Sequence, residues 1–93
     1  MSRWILLRSE FFEQAYFRHA AESPYAQDIM LQLQDGLQSD PYRMAIFTSP
    51  CVPAPLWIYV SPPIGPHPLI RVAYLIEPPD RFVKLCSYSW RQR

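Results

Sequence analysis

Two stretches near the start of the chain carry apolar residues at the spacing of one helix face. Ser9 is a candidate N-cap with two glutamates in the turn after it, and this helix is predicted to run to about Glu22. Ser23 and Pro24 provide an N-cap and a first helical residue for a second helix, which is predicted to end near residues 39–41. The apolar positions are Phe12, Ala15, Tyr16 and Ala20 in the first helix and Ile29, Leu33 and Leu37 in the second. Such a helix hairpin needs another apolar surface to cover it.

Four further apolar runs predict strands. The first, Trp4 to Leu7, has the continuous apolar character of a strand buried on both faces. Three later runs are rich in aromatic and β-branched residues and predict antiparallel strands at Leu56 to Val60, Ile70 to Ile76 and Phe82 to Tyr88. Nine of the 11 prolines lie between Pro50 and Pro79 and exclude helix there. The predicted fold is therefore α+β, in the order β-α-α-β-β-β, with a two-helix hairpin packed on a small antiparallel sheet.

The length and composition predict one folded domain. The chain has 93 residues, of which 49% are hydrophobic and 18% charged, which suffices for one core over residues 1–93. Cys51 and Cys86 lack the spacing of a metal site, so we expect buried free thiols, no metal and no cofactor. The N-terminal apolar run is too short for a signal peptide or a spanning helix. We therefore expect a cytoplasmic protein without a membrane partner.

Charge is distributed unevenly, although the formal net charge is only +1. Residues 44–70 contain no Asp, Glu, Lys or Arg, whereas the stretch after them carries five basic residues against Glu77 and Asp80. These basic residues are Arg71, Arg81, Lys84, Arg91 and Arg93. If the chain binds an anion, we expect it to bind in this C-terminal stretch.

Alternation along the middle strand of the C-terminal half predicts the direction of Arg71. Ile70, Val72 and Tyr74 point to one face and Arg71 to the other. Because one face must bury the helices, the arginine is predicted on the open face. The alternative is a structural arginine, either solvated or paired with a carboxylate. The nearby carboxylates are Glu77 and Asp80.

The element order, the strand from Leu69 to Ile76, the charged turn after it and the closing segment from Leu85 to Trp90 resemble the RelE/ParE superfamily of bacterial toxins. The closing segment is most similar to the YoeB and RelE branches, and the resemblance covers nearly the whole chain. It implies the toxin of a type II toxin-antitoxin pair, with a cognate antitoxin as partner. In the ribonuclease branches it implies cleavage of messenger RNA on the ribosome, through attack of a ribose 2′-hydroxyl on the adjacent phosphate.

The resemblance also implies roles for individual residues. Arg71 matches the family's strand arginine and is expected to clamp the phosphate. The reaction needs an acid and a base as well, for which Tyr88 and His67 are the candidates. Trp90 falls where YoeB-like proteins carry a tyrosine and is expected to stack on a base, because its indole N–H is only a donor. Further RNA-binding candidates are Arg81, Lys84, Arg91 and Arg93.

Some of these residues have simpler interpretations. Arg81 and Lys84 are also typical of solubilising charges on an edge strand, and Lys84 is expected to share its strand face with Tyr88. A loop histidine between prolines, such as His67, is commonly just exposed. His19 is expected to be a helix C-terminal residue beside the dipole and nothing more.

Two classes of function follow from the resemblance. A ribonuclease requires Arg71 and at least one further catalytic side chain to converge within about 6–8 Å of a common point. The candidates for that second group are His67, Tyr88 and Arg81. The alternative is a non-catalytic binding protein on the same fold, either a gyrase inhibitor or an inactive toxin homologue.

The binding protein makes a different prediction about the surface. It requires no convergence of catalytic groups but an exposed apolar patch, expected around Trp57, Tyr59 and Trp90. An exposed edge strand would in addition allow a homodimer.

Overall fold

The computed structural model describes residues 3–52 and 54–92, so Arg93 lies outside the described residues. The chain is an α+β protein, as the sequence predicts. Its elements are β1 (Ile5–Arg8), α1 (Glu10–Ala20), α2 (Pro24–Ser39), α3 (Pro41–Met44), β2 (Phe47–Ser49), β3 (Leu56–Val60), β4 (Leu69–Glu77) and β5 (Phe82–Arg91). None of the described helices has the length and apolar character needed to cross a membrane.

The strands form one five-stranded sheet in the order β1-β5-β4-β3-β2. β1 runs parallel to β5, and the other neighbours are antiparallel. The three predicted C-terminal strands are confirmed, and β5 continues three residues beyond the predicted end at Tyr88. Neither α3 nor β2 was predicted. β2 has only three residues, Phe47 to Ser49, and none of them is buried.

Both long helices begin at the predicted serine caps. The Ser9 hydroxyl accepts a hydrogen bond from the Phe12 amide at 3.0 Å and donates one to the Cys86 carbonyl at 2.9 Å. The Ser23 hydroxyl accepts from the Ala26 amide at 3.2 Å. Ser9 therefore caps α1 and also joins it to β5.

The hydrophobic core lies between the helices and one face of the sheet. Its fully buried side chains include Phe12, Leu33, Leu37, Ile70, Val72 and Tyr74. Trp57 and Tyr59 also face the helices, because they pair with Tyr74 and Val72. The prediction of an exposed patch around Trp57 and Tyr59 is therefore wrong, and of its three members only Trp90 is exposed.

β1 differs from its prediction as a strand buried on both faces. Ile5 is 52% and Leu7 38% exposed, whereas Trp4 and Leu6 pack on the core. The reason is that β1 lies at a sheet edge and the helices pack on one face only. A continuous apolar run therefore did not indicate two-sided burial here.

A β-bulge interrupts the pairing of β4 with β5. Tyr74 pairs with Leu85 and Ala73 with Ser87, so Cys86 between them has no partner. One unpaired residue reverses the alternation of side chains beyond it. Lys84 therefore points to the face away from the helices and Tyr88 to the helix face, so the prediction that they share a face is wrong.

The cysteines also depart in part from expectation. Cys86 in the bulge is half-buried, and this burial raises the pKa of its thiol. Cys51 is exposed, because it follows β2 in a loop and not in a strand. The expectation of two buried thiols is therefore wrong for Cys51.

The sheet face opposite the helices is called here the open sheet face. No described helix packs on it. Its side chains on β3, β4 and β5 include Ile58, Val60, Leu69, Arg71, Ala73, Leu75, Lys84, Ser89 and Arg91, and its edges add Ile5, Leu7 and Phe47.

Candidate functional site

Arg71 lies where alternation along β4 predicts it, exposed on the open sheet face. Its guanidinium carbon is 5.8 Å from the centre of the Phe47 ring. Among the described residues no carboxylate lies within ion-pair distance of Arg71. Glu77, one of the two predicted partners, pairs with Lys84 at 3.0 Å. The cationic group is therefore available to an external anion.

A second arginine lies beside the first. Arg71 pairs with Ser89 and Leu69 pairs with Arg91, so the two arginines are diagonal neighbours on the open sheet face. They line a shallow depression of about 270 Å³, called here the arginine depression, whose walls are Val60, Leu69, Arg71, Ser89, Trp90 and Arg91. Two guanidinium groups and a serine hydroxyl suit a phosphate, since all of them donate hydrogen bonds.

Trp90 borders this depression, but its side chain lies on the helix face of the sheet, because Trp90 pairs with Ile70 and follows Tyr88 by two residues. Its indole is 47% exposed, although the His19 imidazole lies parallel to it, with ring centres 4.3 Å apart and planes 6° apart. His19 thus covers one face of the indole, which leaves the other face and the edge open. The tryptophan is held as a flat platform on which a nucleobase can stack.

Tyr88 points away from the arginine depression, into the helix face. It is 4% exposed, and its hydroxyl lies 2.6 Å from Nδ1 of His19. Its ring contacts Phe12 and Tyr16 edge to face. Burial raises the pKa of Tyr88, and the nearby Tyr16 phenol raises it further. The phenol therefore remains protonated at neutral pH.

His19 is a buried residue of the core, not just a helix C-terminal residue as the sequence suggested. Burial lowers its pKa, and the charge of Glu22 opposes this shift only in part. The signal was present in the sequence, because His19 follows Phe12 and Tyr16 at seven and three residues and so extends the same apolar stripe.

The other predicted site residues lie apart from the arginine depression. The His67 ring stacks on Tyr25 at 4.0 Å, and the Arg81 guanidinium lies 4.6 Å from the centre of the Trp4 ring. Lys84 is in its ion pair with Glu77. The structure thus brings Arg71 and Arg91 together on the open sheet face and places Trp90 with Tyr88 on the helix face. His67, Arg81 and Lys84 do not line the arginine depression.

None of the three comparisons finds a counterpart: no protein-family model, curated protein or solved structure matches the chain. Within residues 3–52 and 54–92, no three His, Cys, Asp or Glu side chains are grouped so that they could hold a metal ion. Inference about function therefore starts from the arginine depression and its tryptophan.

Proposed function

We propose that the chain is a RelE/ParE-type toxin homologue that binds single-stranded RNA without cutting it. The observation that carries this proposal is the placement of Arg71 and Arg91 at one depression and of the exposed indole of Trp90 on the opposite face of the same end of β5. Guanidinium groups bind phosphate through paired hydrogen bonds, and an indole stacks on an unpaired base. A phosphate and its adjacent base are the two recognition elements of a single-stranded nucleotide.

The positions of the candidate acid-base groups support binding without cutting. A base must reach the 2′-hydroxyl next to the phosphate that Arg71 holds. Tyr88 is buried on the other face, with its hydroxyl engaged by His19, and His67 stacks on Tyr25. Within the depression the only other hydroxyl among the described residues is that of Ser89, which is not a base at neutral pH without a basic neighbour.

The ribosome-dependent ribonuclease is the second candidate. It is favoured by the exposure of Arg71, which has no carboxylate partner among the described residues and so meets the requirement for a phosphate clamp. In this case the ribosome would have to provide or reposition the missing acid and base. The two candidates differ in one outcome, the integrity of the bound RNA.

A protein partner fits the remainder of the open sheet face. Ile5, Leu7 and Phe47 are exposed there, and large exposed apolar side chains of this kind are typical of protein interfaces. We assign this area to the cognate antitoxin that the family resemblance implies. Antitoxin binding would then cover Arg71 and compete with RNA.

The test measures RNA binding and RNA integrity in the same sample. A fluorescent 12-nucleotide single-stranded RNA is titrated with the wild type, with Arg71→Gln and with Arg43→Gln, and anisotropy is followed. Arg43 is the matched control, because it is an exposed arginine on α3 that does not line the arginine depression. We expect Arg71→Gln to weaken binding about tenfold or more, as loss of a charge-assisted contact does, and Arg43→Gln to have no effect.

The RNA is then run on a gel, alone and after incubation in a translation extract. Intact RNA in both conditions supports the binding protein. Cleavage in the extract that disappears with Arg71→Gln would contradict the binding protein and support the ribonuclease. Equal binding by the wild type and both variants would contradict an RNA site at Arg71.

A further inference from the structure

A second depression lies on the helix side of the sheet, between α1 and the end of β5. It measures about 400 Å³, and its walls are Ala15, Arg18, His19, Glu22, Tyr88, Ser89 and Trp90. It is called here the helix depression. Its volume is in the range of sites for small ligands.

The two depressions lie on opposite faces of the end of β5, and Ser89 and Trp90 border both of them. β1 pairs only with residues 82–85 of β5, so the later part of β5 is a sheet edge. An RNA strand that passes over this edge from Arg71 would place a nucleotide on the Trp90 indole, next to α1. Successive nucleotides in an extended single strand bring a new phosphate and a new base to each such position.

Two charged side chains at the end of α1 border the helix depression, Arg18 in the last turn of the helix and Glu22 in the turn that follows it. Both are exposed, and among the described residues neither forms an ion pair. The Arg18 guanidinium can donate hydrogen bonds to a phosphate, and the Glu22 carboxylate can accept hydrogen bonds from an amino group of a base.

We propose that the helix depression is a second nucleotide subsite, in which Arg18 binds a phosphate and Glu22 selects the base. This inference rests on the proposed RNA binding at Arg71. A carboxylate only accepts hydrogen bonds. It therefore favours a base with an exocyclic amino group, such as cytosine, and disfavours uracil, which presents a carbonyl oxygen at the same position.

Hexamers of cytidylate and of uridylate provide the matched ligands, because their bases have the same ring and differ at C4, an amino group in cytosine and a carbonyl in uracil, and at the neighbouring N3, an acceptor in cytosine and an N–H donor in uracil. The wild type is expected to bind the cytidylate hexamer about tenfold more tightly, the scale of discrimination by a well-formed base contact. In Glu22→Gln the preference is expected to shrink, because an amide donates as well as accepts.

Arg18→Gln is expected to weaken binding of both hexamers about tenfold. It should also reduce the slope of log K against log salt by about 0.7, as expected for one phosphate contact in single-stranded RNA. Arg43→Gln is again the control and is expected to change neither quantity. Circular dichroism of each variant verifies that it is folded.

Failure of this inference is distinguishable from failure of the proposed function. If Arg71→Gln weakens binding while Arg18→Gln and Glu22→Gln behave like Arg43→Gln, the RNA site ends at Trp90 and the second subsite is wrong. If Arg71→Gln also behaves like Arg43→Gln, the RNA site itself is wrong.

Discussion

The hydrogen bond between the Tyr88 hydroxyl and Nδ1 of His19 restricts the chemistry of both side chains. At 2.6 Å between buried groups, it occupies the phenol and fixes the imidazole behind Trp90. Tyr88 is thereby a structural residue, and His19 is a positioning residue for the exposed indole.

Replacement of Tyr88 by Phe tests this contact. The change leaves Nδ1 of His19 buried without a partner, so we expect the free energy of unfolding to fall by about 1–3 kcal/mol. Urea denaturation provides the measurement. Tyr42→Phe is the control, because the Tyr42 side chain is exposed and its expected effect is within about 0.5 kcal/mol. Equal effects of the two substitutions would show that the Tyr88 hydroxyl contributes nothing.

The lowered pKa of His19 makes stability depend on pH. Burial lowers the pKa in the folded state below the ordinary 6.5, so the unfolded state binds a proton more readily. The free energy of unfolding is therefore expected to fall as pH decreases below about 6.5, and His19→Gln should reduce this fall. Denaturation between pH 7.5 and 5 is the measurement, and His67→Gln is the control. An unchanged pH profile in His19→Gln would contradict this assignment.

For single residues, the sequence predicted the sheet face on which Arg71 lies, but it did not predict which side chains contact one another across the fold. The open face for Arg71 follows from alternation alone. The contact of His19 with Tyr88 joins positions 69 residues apart, so only the tertiary fold brings the two rings together.

Among the elements, α1 is attached to the sheet through its N-cap residue, Ser9. The Ser9 hydroxyl makes two hydrogen bonds, one within the cap and one to β5, whereas among the described residues the Ser23 hydroxyl makes only its cap bond. The same residue type therefore contributes differently at two helix starts.

Alanine at each cap measures this difference. We expect Ser23→Ala to lower the free energy of unfolding by about 1 kcal/mol, which is typical of a serine N-cap. Ser9→Ala is expected to lower it by about 1 kcal/mol more, because the Cys86 carbonyl loses its donor as well. Thermal or urea unfolding of both variants gives the comparison. A smaller effect for Ser9→Ala would show that the bond to β5 is not stabilising.

Helix starts could be predicted because their signals are local. The bulge at Cys86 could not, since a single unpaired residue leaves no mark in the apolar pattern and yet reverses Lys84 relative to Tyr88. β2 was missed for a related reason: it is short and unburied, and it exists only because β3 offers it a partner.

In the whole molecule, the helices cover one face of the sheet. The basic residues of the C-terminal stretch are spread over different parts of the sheet and do not form one cluster. Arg71 and Arg91 meet at one depression, while Arg81 and Lys84 are occupied with Trp4 and Glu77. The α+β class and the open face could be predicted from sequence. Which cations meet could not, because it depends on strand register. The relation to RelE/ParE toxins stays a prediction.

The number of arginines at the site limits the salt dependence of RNA binding. With two or three phosphate contacts, log K against log salt is expected to have a slope of about −1.4 to −2. Anisotropy titrations between 50 and roughly 300 mM salt measure it. A slope of about −3.5 or steeper would mean that five or more phosphates are bound, and that the site extends to cations outside the two depressions.

The most direct test of the RNA site is an amide and indole NMR titration of the chain with a short single-stranded RNA. The expected shifts map to Leu69 through Arg71, to Ser89 through Arg91 and to the Trp90 indole N–H. Absence of shifts at these positions, or shifts confined to the β1 edge or to the loop around His67, would contradict the site.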